Sequence, residues 1–211
     1  MADDTRTRIL TATGELFRRQ GYNGTSLSQV STAAPATIGS IYHFFPGGKE
    51  ALAAAVIDST GSVYRELFEA IVAESDDVVS AFVNFFEGAA LVLTESDYID
   101  PCPIGTVARE VASTSEPLRQ AADAVFDSWV RSAREVLVGA GIDPPHAADL
   151  ANLFVAMTEG CFVLSRTKRS PEPLRAAARL VGPLIASALE EGGARTSRTS
   201  ERGARRVRGI R

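Results

Sequence analysis

The sequence predicts an all-α protein: an N-terminal three-helix helix-turn-helix domain followed by a larger C-terminal helical domain, about nine helices in all. Three observations predict it. Apolar residues recur at helical spacing along nearly the whole chain. No stretch alternates β-branched and polar residues as a half-buried strand would. Residues 25–49 read as two short helices, each with its own cap and stop signal, joined by a tight turn.

Residues 4–20 form the first helix, with Ile9, Leu10, Ala12, Thr13, Leu16 and Phe17 on one face. Gly21 suits the position just past a helix end, and Tyr22 is expected to pack back onto the stripe. Ser26 caps the second helix, whose buried face is Leu27, Val30 and Ala34. Pro35 has no amide proton and disfavours helical geometry at Ala34, so the helix stops there. Thr37 caps the third helix, residues 38–44, and Pro46-Gly47-Gly48 ends it. Three helices in about 45 residues make a marginal unit that must lean on the next helix.

That fourth helix runs from Gly48 or Lys49 to about Glu74, with Leu52, Ala55, Val56, Val63, Leu67, Phe68 and Ile71 as its buried positions. Gly61 in its middle costs about 1 kcal/mol relative to alanine and marks a bend or a close approach. Asp76-Asp77 start a fifth helix carrying Phe82, Phe85, Phe86, Ala89 and Leu93. A loop over 96–103 precedes a short helix at 104–113, and Pro117 opens another that reaches Gly139. The turn at 139–145 leads to a long apolar helix, 147–166. Pro171 and Pro173 begin the last helix, which Pro183 should kink and which ends at Glu190 or Glu191. The domains read as 1–48, 49–192 and a disordered basic tail, 193–211.

At 211 residues the chain holds one large core or a small domain fused to a larger one. No signal-peptide pattern opens it, no uninterrupted apolar run suits a bilayer, and Cys102 and Cys161 make neither a disulfide framework nor, with the two histidines, a metal spacing. The expectation is a cytoplasmic, non-membrane protein without metal or cofactor. No nucleophile–base pair and no phosphate loop appears, so no catalytic residue is nominated. A net charge of −4 argues against wholesale attraction to nucleic acid, but the segment after Gly193 holds seven arginines and one glutamate, and a DNA-binding face needs only local positive charge. That segment is solvated disorder, adds non-specific DNA affinity, or affects solubility only.

The order Thr37-x-Gly39-Ser40-Ile41-Tyr42-His43-x-Phe45-Pro46-x-x-Lys49-Glu50-Ala51-Leu52 resembles the DNA-reading segment of the TetR family of bacterial transcriptional regulators. The likeness extends from about Arg8 and includes Leu16-Phe17 and Gly21-Tyr22; the departure is Pro35, where the family usually has glycine. Three shorter patches are similar to the LmrA/YxaF-like branch of drug- and flavonoid-responsive repressors. They are Pro46-Gly47-Gly48-Lys49, the run from Cys102 to Glu110, and Glu159-Gly160 with the run from Ser165 to Ser170.

A recognition helix places its first residues at base edges in the major groove. That assigns Ile38, Gly39 and Ser40 to bases: Gly39 for close approach, Ile38 for a thymine methyl, Ser40 for hydrogen bonds of low discrimination. Thr25, Ser26, Thr37, Tyr42, His43 and Lys49 are nominated for phosphates, and the resemblance implies the same for the Tyr-His pair and the lysine. Competing assignments stay open: Thr25 and Ser26 as caps, Tyr42 as a core aromatic, His43 as an ordinary surface histidine, Ile38 packing inward.

Beyond residue 76, Phe82, Phe85, Phe86, Cys102, Ile104, Val107, Phe126, Trp129, Met157 and Phe162 are candidates either for a packed core or for a small-molecule pocket. The resemblance implies the pocket, and the aromatic content suits an apolar, aromatic effector. The last two helices are the expected homodimer contact, through Leu150, Leu153, Phe154, Met157, Cys161 and Leu164 on one and Leu174, Ala177, Ala178, Val181, Leu184, Ile185 and Ala188 on the other, unless these stripes face the chain's own core. Two reading heads imply a near-palindromic double-stranded operator, and the resemblance implies a repressor released by ligand.

Overall fold

The computed structural model describes the backbone of residues 2–99 and 102–208 and the side chains of residues 4–99 and 102–192. Nine α-helices occur among the described residues. The head is α1 (Ala2–Gln20), α2 (Leu27–Ala33) and α3 (Ile38–Phe44), and α4 (Gly48–Glu74) leads out of it. The body is α5 (Val78–Glu95), α6 (Pro103–Val111), α7 (Glu116–Gly139), α8 (Pro144–Lys168) and α9 (Glu172–Arg208).

The caps are those the sequence dictates. Asp77 accepts from the Ser80 amide at 2.8 Å to start α5, and Ser115 accepts from the Leu118 amide at 3.3 Å to start α7. At Ser26 the arrangement is a full capping box: the Gln29 amide donates to its hydroxyl, while the Gln29 side chain accepts from the Ser26 amide at 2.8 Å.

The α2–α3 turn is a Schellman turn built around the wrong residue. The Ala36 amide donates to the Ser31 carbonyl at 3.1 Å, the long closing bond of the motif. The position it encloses must take a positive φ, and Pro35 sits there at φ 26°. Its ring prefers about −65° and it has no N–H for the motif's second bond. Ala34 is therefore not driven to extended geometry as expected; it stays near helical at φ −93°, ψ 7° and keeps its bond to the Val30 carbonyl.

Two buried clusters make up the core. One joins Ile9, Phe17, Val30, Ile41 and Phe45 of the head and Leu52 and Val56 of α4 to Ile104, Val107 and Val111 of α6 and Leu118 and Val125 of α7. The head thus shares its interior with α6 and α7, as a three-helix unit too small for its own core must. The other joins Phe68, Phe82, Phe86, Phe154, Leu174, Val181 and Ile185. Within it Phe68, Phe82, Phe85, Phe86 and Phe154 pack with ring centroids 4.7 to 5.9 Å apart, mostly edge to face. Each such pair contributes about 0.5–1.5 kcal/mol beyond the burial itself.

Several sequence expectations need correction here. Val63 and Leu67 are more than half exposed, because the buried stripe of α4 runs instead through Leu52, Ala53, Val56, Ile57, Gly61 and Phe68. Gly61 marks a close approach: a Cβ there would lie 2.5 Å from Val125, and its carbonyl accepts from Trp129 Nε1 at 2.9 Å. On α9, Leu174, Ala177, Ala178, Val181, Ile185 and Ala188 are buried in the chain's own core, and Gly182 faces Val83 of α5. They are not free to hold a second copy. Among the described residues, the exposed large apolar side chains of the last two helices are Leu153, Val163, Leu164, Leu180 and Leu184.

Helix α9 also does not end at Glu191. It continues through Gly192-Gly193 to Arg208, into the stretch expected to be disordered, because extending a helix already anchored by packing costs far less than starting one. Residues 209–211 of that expected tail lie outside the described residues. By length and mean hydropathy α5 and α8 would suit a bilayer, contrary to the reading of the apolar runs, yet both carry the buried faces just described.

Candidate nucleic-acid interface and effector cavity

The reading head presents the outer face of α3. Ile41 is fully buried and fixes the helix on the core, which turns Ile38, Gly39, Tyr42 and His43 outward. Ile38 is 40% and Tyr42 50% exposed, so neither packs wholly inward. A Cβ on Gly39 would have only the Thr37 hydroxyl near it, at 3.7 Å. Nothing inside the fold requires glycine there. The Thr37 hydroxyl accepts from the Ser40 amide at 3.0 Å and lies 2.9 Å from the Ser40 hydroxyl. Ser40 is thus engaged in the cap through both its amide and its hydroxyl.

The remaining head residues divide. Ser26 is exposed at the N-terminus of α2, and His43 is exposed with its ring edge-on to Phe44 at 5.1 Å. The Tyr42 ring lies against Gly48, where φ is 65° and an added Cβ would be 3.3 Å away. Lys49, in the first turn of α4, holds its ammonium 4.2 Å from the Tyr22 ring centre. Partial burial lowers its pKa, and the carboxylate of Glu110 opposes that shift. Thr25 departs from the expected phosphate contact. Its side chain is buried, and its hydroxyl donates to the Gly21 carbonyl at 2.8 Å, which holds the α1–α2 turn closed.

In the body, α4, α5, α7 and α8 enclose an apolar cavity of about 230 Å³. Of the ten candidate pocket residues, Phe85, Cys102, Trp129 and Phe162 line it. The others do not. Phe82 and Phe86 are fully buried in the aromatic cluster, Ile104 and Val107 in the core shared with the head. Phe126 packs edge-on to Trp129 at 5.5 Å, between the two clusters, and Met157 faces α9 beside Leu184. The sequence reading missed Tyr64, Leu67, Phe68, Ile71, Ala89, Val92, Phe154, Thr158 and Glu159. No local signal marked them, since Leu67, Phe68 and Ile71 read as the buried stripe of their own helix.

Glu159 carries the site's electrostatics. Burial raises its pKa, against the opposing effects of a hydrogen bond with the Cys102 thiol and the charge of Arg109. Burial, with Glu159 next to it, pushes the Cys102 thiol well above the usual range, so that thiol is inert. A second, more open cleft of about 510 Å³ shares Cys102, Glu159 and Phe162 with the apolar cavity and adds Arg109 and Arg166.

Helix α6 spans from this cavity to the head. At its start, Cys102 caps it and Gly105 packs on Glu159; a Cβ on Gly105 would fall 1.8 Å from the Glu159 carboxylate. At its end, Glu110 accepts from the Asn23 amide, and a Cβ on Gly21 would fall 1.8 Å from that carboxylate. Gly21 also sits at φ 75°, so two independent constraints demand glycine.

Comparison with known proteins agrees with this architecture. Residues 9–56 match the family model described as "Bacterial regulatory proteins, tetR family". Residues 78–180 match "Transcriptional regulator LmrA/YxaF-like, C-terminal domain". The chain is 36% identical over 182 residues to the uncharacterized HTH-type transcriptional regulator YxaF of Bacillus subtilis, covering 86% of this chain and 95% of that one. It is 32% identical to the HTH-type transcriptional regulator LmrA of the same organism, covering 81% and 91%. The crystal structure of a TetR transcriptional regulator from Legionella pneumophila superposes with a TM-score of 0.73 at 26% identity, covering 82% of this chain and 93% of that one.

Proposed function

The chain belongs to the TetR family of bacterial regulatory proteins, and from that premise we propose that it is a dimeric repressor released from a two-fold operator by a small apolar, aromatic ligand. It is a DNA-binding transcriptional regulator and not an enzyme. The observation that carries the fuller reading is a single short helix, α6, in contact with both the cavity and the head.

Residues 1–48 act as the reading head and 49–192 as the ligand-binding and dimerisation body. Ile38, Gly39 and Ser40 meet base edges, with Tyr42, His43, Thr37, Ser26 and Lys49 on phosphates. Thr25 supports the turn from within. Two copies join through α8 and α9, and the exposed Leu153, Leu164, Leu180 and Leu184 support that face. A two-fold pair of heads then reads half-sites a helical turn or its multiple apart. Such a protein works where the chromosome is, in the cytoplasm.

Without ligand the dimer holds its heads at the operator spacing. A ligand that prefers a shifted position of α6 moves the α1–α2 turn through Glu110 and moves α4 with it. Operator affinity then falls by the ligand's preference for that second state.

The test is selection from a pool of random duplex DNA at near-physiological salt, followed by sequencing of what is retained. An enriched two-fold-symmetric site is the expected result. A folded dimer that enriches nothing would contradict the reading.

A further inference from the structure

The Ser31 hydroxyl donates to the Ala36 carbonyl at 2.6 Å, and the Ser31 carbonyl accepts from the Ala36 amide at 3.1 Å. Both main-chain polar groups of Ala36 are therefore bound to Ser31, which lies in the last turn of α2. Ala36 directly precedes Thr37, the N-cap of α3. The two bonds fix where α3 begins relative to α2.

The other holds on this turn are weak. Helix α3 has seven residues, too few to be stable alone, and within it Ile41 is the buried position. One buried side chain seats such a helix on the core but leaves its tilt and rotation to its ends. Pro35, with no N–H, cannot make the second bond of the turn, which would end on the Thr32 carbonyl. The Ala34 carbonyl accepts from Arg8 Nε at a long 3.4 Å. The short bond from the Ser31 hydroxyl stands in for the one that Pro35 removes.

We propose that Ser31 is a positioning residue for operator reading: its hydroxyl, acting through Ala36, sets the angle at which the first residues of α3 enter the major groove. This rests on α3 being the reading helix. Ser31 acts from within the fold, since its hydroxyl proton is committed to Ala36 and is not free for a phosphate. Without that bond the turn spreads over several geometries, and apparent affinity falls with the fraction that stays competent. Base contacts feel the loss, because they need the helix in register. Attraction to phosphates tolerates a tilted helix.

Titrations of the full chain test this with two duplexes, the operator selected from random DNA and a scrambled duplex of the same length. Ser31→Ala is expected to bind the operator about tenfold more weakly, and the scrambled duplex within about twofold of wild type. Ser31→Thr, which keeps the hydroxyl, recovers most of the loss. In Pro35→Gly the turn regains its amide, so adding Ser31→Ala there costs about threefold or less. Undiminished operator affinity in Ser31→Ala would overturn the proposal. So would an equal loss on both duplexes, which marks general unfolding, or a Ser31→Thr variant as weak as Ser31→Ala. A wild type that did not distinguish the two duplexes would remove the reading of α3 itself, and this inference with it.

Discussion

Glu110 Oε2 accepts a 2.8 Å hydrogen bond from the backbone N–H of Asn23, which ties the last turn of α6 to the turn between α1 and α2. The two residues are 87 positions apart in sequence. The bond is charge-assisted, and the same carboxylate acts on Lys49 at the start of α4. One side chain thus bonds to the α1–α2 turn and acts by its charge on the start of α4.

Glu110→Ala should therefore weaken the coupling more than the binding. Ligand affinity for the cavity stays within about twofold, since Glu110 lies at the far end of α6 from it. The factor by which ligand weakens operator binding drops by about 1–2 kcal/mol, the scale of one charge-assisted bond. Operator titrations with and without saturating ligand measure this, for wild type and variant side by side.

Pro35→Gly should stabilise the protein. Glycine accepts the positive φ at this position without strain and restores an amide to the Schellman turn. The relief is about 1–3 kcal/mol, less the greater entropy of glycine in the unfolded chain. A rise in melting temperature is expected; an unchanged or lower one would show that the proline is not strained.

Gly39→Ala should separate folding from DNA binding. An added methyl meets only the Thr37 hydroxyl, at an ordinary 3.7 Å, and gains helix propensity of up to about 1 kcal/mol, so stability holds or rises. Operator affinity falls because the methyl stands between α3 and the groove. Thermal melts and operator titrations on one preparation check both halves.

Gly61→Ala should do the opposite. Its methyl would press on Val125 at 2.5 Å, in the seam that Trp129 closes by donating to the Gly61 carbonyl. Overpacking of this kind costs about 1–3 kcal/mol. Val125→Ala in the same chain should recover part of it, measured by denaturant unfolding.

Much of this was legible in the sequence because it is local. Ser26, Thr37, Asp77 and Pro117 announce helix starts by chemistry that acts within one turn, and Gly21 and Gly48 announce the positive-φ stops. The cavity was not legible in that way. Phe82 and Phe85 are three residues apart on one helix, yet one is sealed in the core and the other lines the cavity, and only the packing of α4 and α8 decides which. In the sequence Glu159 stands out only through family likeness, because a carboxylate in an apolar helix shows its burial only after Gly105 has been placed against it. The stripe of α9 was visible, but a stripe does not say whether it faces its own core or a second copy.

Glu159 should also make stability depend on pH. Its folded pKa is raised by burial, so above that pKa the ionised carboxylate costs stability that the unfolded chain does not pay. As pH falls through the folded pKa the folded state takes up the proton first and the cost disappears, fully so below the unfolded value. Glu159→Gln should therefore melt higher than wild type at neutral pH, with the difference closing as the solution is acidified. A difference independent of pH would assign the effect to packing.

The most direct measurement of the central claim is reciprocal. Operator affinity is determined with and without a saturating aromatic ligand of the cavity, and ligand affinity with and without saturating operator. The account predicts that both fall, by the same factor, because one equilibrium links the two sites. A ligand that fills the cavity and leaves operator affinity unchanged would contradict it.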